Sequence, residues 1–202
     1  MRVLNTERFQ QIYDENLWGG GSGDGSRAEA TVEYRKVLVD IIKKYNIKSV
    51  LDYGCGDWEF SKLIDWNNLV DSYYGVDVVS SVIESNKQKY EQRNIKFDLL
   101  TNDWNMPNVD LIICKDVFQH LPNSIVVPVL SEMRNSSKFM LLTNDILYPG
   151  NVSVNGDCDP GGMRPLNFSI EPWNISPIFT HNWGLICEAI KVTILIQGIN
   201  TI

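Results

Sequence analysis

A chain of 202 residues with 25 acidic against 18 basic side chains, and a net charge of −7, presents a surface that disfavours a nucleic-acid backbone or an anionic membrane. Its hydrophobic share of 44% supplies one domain with a substantial core, yet no apolar run is long enough to span a bilayer. The cysteines, Cys55, Cys114, Cys158 and Cys187, form no CxxC pair and point to neither zinc nor a disulfide framework. Cys114 and Cys187 lie in apolar runs and read as small core residues. With no signal peptide to read, a cytoplasmic location is expected, leaving the sequons at Asn135, Asn151, Asn167 and Asn174 without meaning.

Along the chain, TERFQQIYDENLW (6–18) places Phe9, Ile12 and Tyr13 at helical spacing. WGGGSGDGS (18–26) follows. It has no preceding strand and no closing G-K-[ST], so it is not a phosphate loop. Ser26 and Glu29 read as a capping box opening a helix to about Tyr45, with Val37, Leu38, Ile41 and Ile42 as its buried stripe. Strand and helix then alternate. KSVLDYG (48–54), DSYYGVDVV (71–79), NIKFDLL (94–100), VDLIICKD (109–116) and KFMLLTND (138–145) read as strands. DWEFSKLIDW (57–66) reads as a helix, Ser81 with Glu84 caps another to about Tyr90, and a third lies around 124–135 with Pro128 delaying or kinking its start. Apolar strands alternating with helices imply a mainly parallel sheet covered on both faces. A Gly/Pro/Asn-rich segment (149–182) precedes one or two late strands in GLICEAIKVTILIQGI (184–199).

In such sheets the ligand sits outside the carboxyl ends of the strands. There the strands deliver Asp52, Gly54, Cys55 and Gly56, then Asp77, then Asp103 and Trp104, then Asp116 with Gln119 and His120, and finally Asn144 and Asp145. Gly54 and Gly56 give room for a ligand, but Glu59 stands where a dinucleotide fingerprint needs its third glycine, which disfavours NAD and FAD. Asp77 suits a ribose diol, while Asp103 beside Trp104 suits adenine. Much negative charge and no lysine at the glycine turn fit an adenosine with a cationic tail better than a phosphate.

LDYGCGDWEF, YYGVDVV and DLIICKDVFQHLPN resemble the motifs of the Rossmann-like class I S-adenosylmethionine-dependent methyltransferases over about residues 48–145. The glycine loop, QHLPN and GGMRPLNF (161–168) further resemble small methyltransferases found beside or fused to glycosyltransferases, including glycan-building proteins of large algal viruses. That group often has proline where this chain has Asp24. The resemblance implies a single α/β domain over 1–202: N-terminal helices and a glycine-rich lid (1–47), a cofactor core (48–145), and an acceptor loop with terminal strands, one of them antiparallel (146–202). For the cofactor it implies contacts from Trp18, Gly19, Gly21, Ser22, Gly23 and Ser26 in the lid. Asp52, Gly54, Cys55, Gly56, Asp57 and Trp58 would join at the first turn. Asp77, Val78, Asn102, Asp103, Trp104 and Lys115 would complete the set.

The expected reaction is O-methylation of a sugar hydroxyl, such as that of a deoxyhexose, within a glycan, in the cytoplasm of a host cell if the protein is viral. A fused or associated glycosyltransferase is a possible partner. A sugar hydroxyl is a poor nucleophile and needs a base. His120 is assigned that role, with Asp116 four residues earlier on one face if the segment is helical, and Asp116 or Asp145 holding the ring; its alternative is a structural histidine. Asp116, Asn144 and Asp145 are also hard-oxygen ligands for Mg²⁺ or Mn²⁺, as in metal-dependent catechol-type methyltransferases, though the Asn–Asp order is reversed here. Gln119, Asn144, Asp157 and Arg164 are candidate acceptor contacts, Arg164 alternatively a loop-stabilising salt bridge. His181 reads as structural. Other small hydroxylated acceptors and a catalytically silent cofactor-binding module remain as rival functions.

Overall fold

The computed structural model describes residues 5–147, 154–186 and 189–200; Asn151 and Cys187 lie outside them. Seven strands form one sheet in the order β3-β2-β1-β4-β5-β7-β6, a Rossmann-like arrangement whose single reversed strand, β7, is inserted before the last. Backbone packing divides the chain into two compact units, 1–105 and 106–202. No helix among the described residues is long and apolar enough to cross a membrane.

The first unit comprises α1 (Thr6–Asp14), α2 (Val32–Lys44), β1 (Ser49–Tyr53), α3 (Trp66–Leu69), β2 (Ser72–Asp77), α4 (Ser80–Tyr90) and β3 (Ile95–Leu99). Its strands are parallel, with Asp52 opposite Gly75 and Tyr73 opposite Ile95. Leu38, Ile41 and Ile42 of α2 are buried as the helical spacing requires. The Ser26–Glu29 capping box does not form. Residues 24–26 make a 3-10 turn, Ser26 Oγ donates to the Ser22 carbonyl at 3.4 Å, and α2 begins six residues later at Val32. Nor does 57–66 form one helix. Trp58 adopts φ +62 to enter the core, and only a 3-10 turn (Ser61–Leu63) and the short α3 follow. Helix α4 ends where expected, but without a Ser81 cap: Ser81 Oγ accepts a bond from Gln10 Nε2 at 3.0 Å.

The second unit comprises β4 (Val109–Lys115), a 3-10 turn (Phe118–His120), α5 (Asn123–Ser136), β5 (Ser137–Leu147), β6 (Phe179–Ile186) and β7 (Ala189–Gln197). β4 and β5 are parallel; β7 runs antiparallel to both β5 and β6. The tail thus supplies two strands, the first starting earlier than its composition implied. Pro128 does not delay α5, which starts at Asn123 and runs through it. The Asn123 N–H is capped from a distant loop by Asp157 Oδ1 at 2.8 Å.

The core of the first unit is built on aromatic rings and one buried carboxylate. Trp58 packs edge-on against Tyr73 and Phe97, with centroids 5.6 and 5.3 Å away. Its Nε1 donates to Tyr73 Oη at 2.8 Å, and Tyr73 Oη donates to Asp52 Oδ2. Ser61 Oγ donates to the same oxygen at 3.2 Å, so two hydroxyls, one of them backed by the Trp58 N–H, stabilise a carboxylate only 1% exposed. Tyr73→Phe deletes both ends of this chain without changing the ring. It should lower unfolding free energy by about 1–3 kcal/mol, read as a reduced urea midpoint with unchanged slope.

Candidate functional site

In the first unit, β1 ends in a turn whose left-handed corners favour glycine: Gly54 has φ +77 and Gly56 φ +53. The Gly54 N–H donates to the Val76 carbonyl at 2.8 Å, tying the turn to β2. Asp77 at the end of β2 accepts from Gly56 N–H at 3.0 Å and from Val79 N–H at 3.1 Å. Burial pushes its carboxyl up, and these backbone donors offset part of the rise. Val78 N–H is a third backbone donor to it, so part of the carboxylate's acceptor capacity remains for a ligand hydroxyl.

The glycine-rich loop docks on this turn. Ser22 N–H and Oγ donate to the two oxygens of Asp57 at 3.1 and 2.8 Å, and Asp57 N–H donates back to Ser22 Oγ at 3.1 Å. Tyr13 Oη lies 2.7 Å from the same hydroxyl, and burial raises the phenol's pKa, keeping it neutral. A Cβ on Gly21 would stand 1.9 Å from Asp57 Oδ2, and one on Gly56 would stand 2.1 Å from Ser22 Oγ. Trp18 packs edge-on against Phe9 and Tyr13, anchoring the loop's first residue to α1. Between loop and turn opens a cleft of about 380 Å³ lined by Gly20, Ser22, Ser26, Arg27, Asp57 and Glu59, among others.

Several expected cofactor residues are elsewhere. Asp52 and Trp58 belong to the buried Tyr73 network, because a strand-end position does not decide which face a side chain takes. Cys55 is buried beneath Gly75, and burial pushes its thiol up. Val78 is partly exposed beside Asp77, and Asn102 and Asp103 are exposed, Asp103 accepting from Thr101 Oγ1 at 2.6 Å. Trp104 Nε1 donates to Tyr74 Oη at 3.2 Å.

The second unit carries a buried charged cluster. Lys191 of β7 stands opposite Asp145 of β5 and puts Nζ 2.8 Å from Asp145 Oδ1 and 2.8 Å from Asp116 Oδ1. Lys115 Nζ holds Asp116 Oδ2 at 2.6 Å. Burial alone would raise the Asp116 carboxyl, but Lys115 and Lys191 outweigh it and hold it down to about 2. Lys191 was absent from the sequence-derived site, as it lies in an apolar run. Its alternation with Val192 and its register to Asp145 are what place it.

This cluster corrects several expectations. Lys115 is committed to Asp116. Asn144 and Asp145 are successive strand residues pointing to opposite faces, so they make no ligand pair; Asn144 Oδ1 is buried without a partner among the described residues. Two ammonium groups occupy the carboxylates a divalent cation would need, and the described residues contain no group of three or more His, Cys, Asp or Glu that could hold a metal. These residues do not fit Mg²⁺ or Mn²⁺. Asp116 and His120 share no helix: Asp116 has φ +56, and a 3-10 turn carries His120.

His120 is held by the loop instead. Its Nδ1 lies 2.7 Å from the Gly162 carbonyl, while Gly161 N–H donates to the His120 carbonyl at 2.9 Å. Burial lowers its pKa, although Asp116 and Asp145 act to raise it. Gln119 is 3% exposed and bonds Asp145 with both ends of its amide, at 2.7 and 3.0 Å, so it is not an acceptor contact. Arg164, 1% exposed, donates to Asn123 Oδ1 and to the Gly156 and Leu121 carbonyls, each at 2.7 Å. Arg164 and the capping Asp157 thus tie their loop to the start of α5. His181 stacks on Phe179 and is structural.

Residues 51–138 match the family described as Methyltransferase domain. No curated protein matches the chain. Among solved structures, the magnesium protoporphyrin IX methyltransferase of Synechocystis PCC 6803 with bound SAM superposes with a TM-score of 0.64 at 14% identity, covering 97% of this chain and 99% of that one. The methyltransferase domain of bacterial CtHen1 gives 0.62 at 15% identity over 82% and 97%, and TehB of Haemophilus influenzae 0.58 at 18% over 81% and 62%. At these identities the shared property is the fold. The segment matched carries the glycine turn and Asp77, and over it this chain is similar to that methyltransferase family.

Removing Lys191 leaves buried Asp145 and largely enclosed Asp116 without their common counter-ion. Lys191→Met should cost about 3–5 kcal/mol near pH 7, read by urea denaturation. In the wild type, the depressed Asp116 pKa contributes stability above about pH 4 that is lost as the pH falls toward about 2. In Lys191→Met that loss should begin at higher pH, visible in melting temperatures across an acid series.

Proposed function

We propose that the chain transfers the methyl group of S-adenosylmethionine to a sugar hydroxyl, with a deoxyhexose of a glycan as the acceptor class. The carrying observation is the Gly56–Asp77 contact: a glycine-cornered turn bonded at 3.0 Å to a buried acid at the end of β2. The turn leaves space for an adenosine, and the acid has lone pairs for a ribose diol. The docked loop adds backbone N–H groups at left-handed glycines, a geometry suited to a carboxylate. Bound here, the cofactor supplies a methyl carbon activated by positively charged sulfur. The acidic environment of Asp57 and Asp77 favours that charge.

The acceptor side of the reading rests on His120 and on the resemblance of the WGGGSGDGS and GGMRPLNF segments to glycan methyltransferases. Forming the new O–C bond while the C–S bond gives its electrons to sulfur leaves the hydroxyl proton to be taken up. With Nδ1 against a carbonyl, His120 Nε2 is the nitrogen that takes it. The lysine-paired Asp116 and Asp145 give no role to a divalent cation. A glycosyltransferase, fused or associated, would supply the acceptor glycan in the cytoplasm.

The test is S-adenosylmethionine turnover against a panel of deoxyhexosides and phenols, with and without EDTA. Turnover of a deoxyhexoside unaffected by EDTA is expected; preference for phenols overturns the sugar assignment, and cofactor binding with no turnover overturns the enzyme reading of these residues. Asp77→Ala should weaken cofactor binding by about 1–3 kcal/mol in calorimetry, because the ribose hydroxyls lose a charged acceptor.

His120→Ala should lower kcat by roughly 10²–10⁴-fold with cofactor affinity near normal. A base must be neutral, and burial holds this imidazole below its ordinary value of about 6.5. The wild-type rate should therefore be flat at neutral pH and fall only below about pH 6.5, measured as kcat against pH.

A further inference from the structure

His120 is bracketed by two groups of opposite hydrogen-bonding sense. Nδ1 faces the Gly162 carbonyl at 2.7 Å, which can only accept, so Nδ1 carries the proton. Nε2 lies 3.5 Å from Gln119 Nε2. A glutamine amide can be turned either way, but here the orientation is fixed. Gln119 Oε1 takes the Asp145 N–H at 2.7 Å, and Nε2 donates one hydrogen to Asp145 Oδ2 at 3.0 Å. Its other N–H is the one that faces the ring.

We propose that Gln119 is a positioning residue for His120: its amide, locked by Asp145, presents an N–H donor to Nε2 and holds the ring as the neutral Nδ1–H tautomer. The proposal rests on reading His120 as the base. Protonating Nε2 would set one N–H against another, so the contact opposes the imidazolium, while an arriving hydroxyl can replace the long amide contact with a shorter bond.

The charged groups that face the ring are Asp116 at the end of β4, Asp145 on β5 and Lys191 on β7; the acids favour the imidazolium and the lysine opposes it. Both acids are themselves paired with Lys191, and Asp116 also with Lys115. Lys191 opposes the two acids at the imidazole, and burial is the largest influence on its state, lowering its pKa.

The experiment is two-bond ¹H–¹⁵N correlation NMR of the full chain, in which the two histidines are told apart with His181→Asn. Wild-type protein should show the Nδ1–H tautomer at neutral pH. In Gln119→Met the titration midpoint of His120 should rise by about 0.5–1 pH unit, and in Gln119→Glu by more than about one, with the acid limb of kcat moving in parallel. An Nε2–H tautomer in the wild type, or an unmoved midpoint in folded Gln119→Met, overturns the proposal. Should Gln119→Glu not fold, these two measurements decide. If the tautomer and midpoints behave as stated while His120→Ala keeps full turnover, the positioning stands and the base reading fails.

Discussion

A carboxylate taken out of water costs several kcal/mol unless it is paired, and in residues 106–202 that constraint organises almost everything else. Asp145 is buried and Asp116 nearly so, and one ammonium, Lys191, reaches both at 2.8 Å. It does so because β7 runs antiparallel to β5 with Lys191 opposite Asp145. From Asp145 the order spreads outward. Its backbone N–H and Oδ2 fix Gln119, its carbonyl receives Leu166 N–H at 2.7 Å, and the Gln119 carbonyl receives Arg164 N–H at 3.2 Å. The loop so attached brings the Gly162 carbonyl to His120. The reversed strand is therefore part of the site's electrostatics as well as of the sheet.

Much of this was legible in the sequence. The turn at Gly54 and Gly56 and the place of Asp77 at the next strand end could be read because they follow from glycine spacing and strand length alone. The strand–helix alternation fixed the parallel part of the sheet for the same reason: it depends on periodicity and needs no contacts. What escaped was face and register. Asp52 was placed at the ligand because it ends a strand, but its side chain turns into the aromatic core to meet Tyr73. Lys191 was invisible inside IKVTILI, since only the antiparallel register makes it a neighbour of Asp145. The Ser26–Glu29 signal failed because local bonds within 22–27 satisfied the chain first.

Side chains expected to meet the acceptor proved to be framework. Arg164 is enclosed by two carbonyls and an asparagine, and Asp157 caps α5. Asn155 makes a similar internal frame, donating to the Asn167 and Glu171 carbonyls at 2.9 and 2.6 Å and accepting Asn167 N–H at 2.8 Å. A long polar loop thus gains order from side chains that imitate backbone pairing. Its composition resembles a binding surface because scaffolding and recognition use the same residue types.

The interlock between the glycine loop and the first turn has an evolutionary consequence. Gly21 vacates the volume that Asp57 fills, and Gly56 vacates the volume that Ser22 fills, across 35 residues of sequence. Substitutions at these four positions will not be additive, since a side chain gained on one segment is tolerable only where the other has given one up. Drift in the loop is thereby tethered to the cofactor turn, and viable variants of one will tend to be found only in the company of compensating variants of the other.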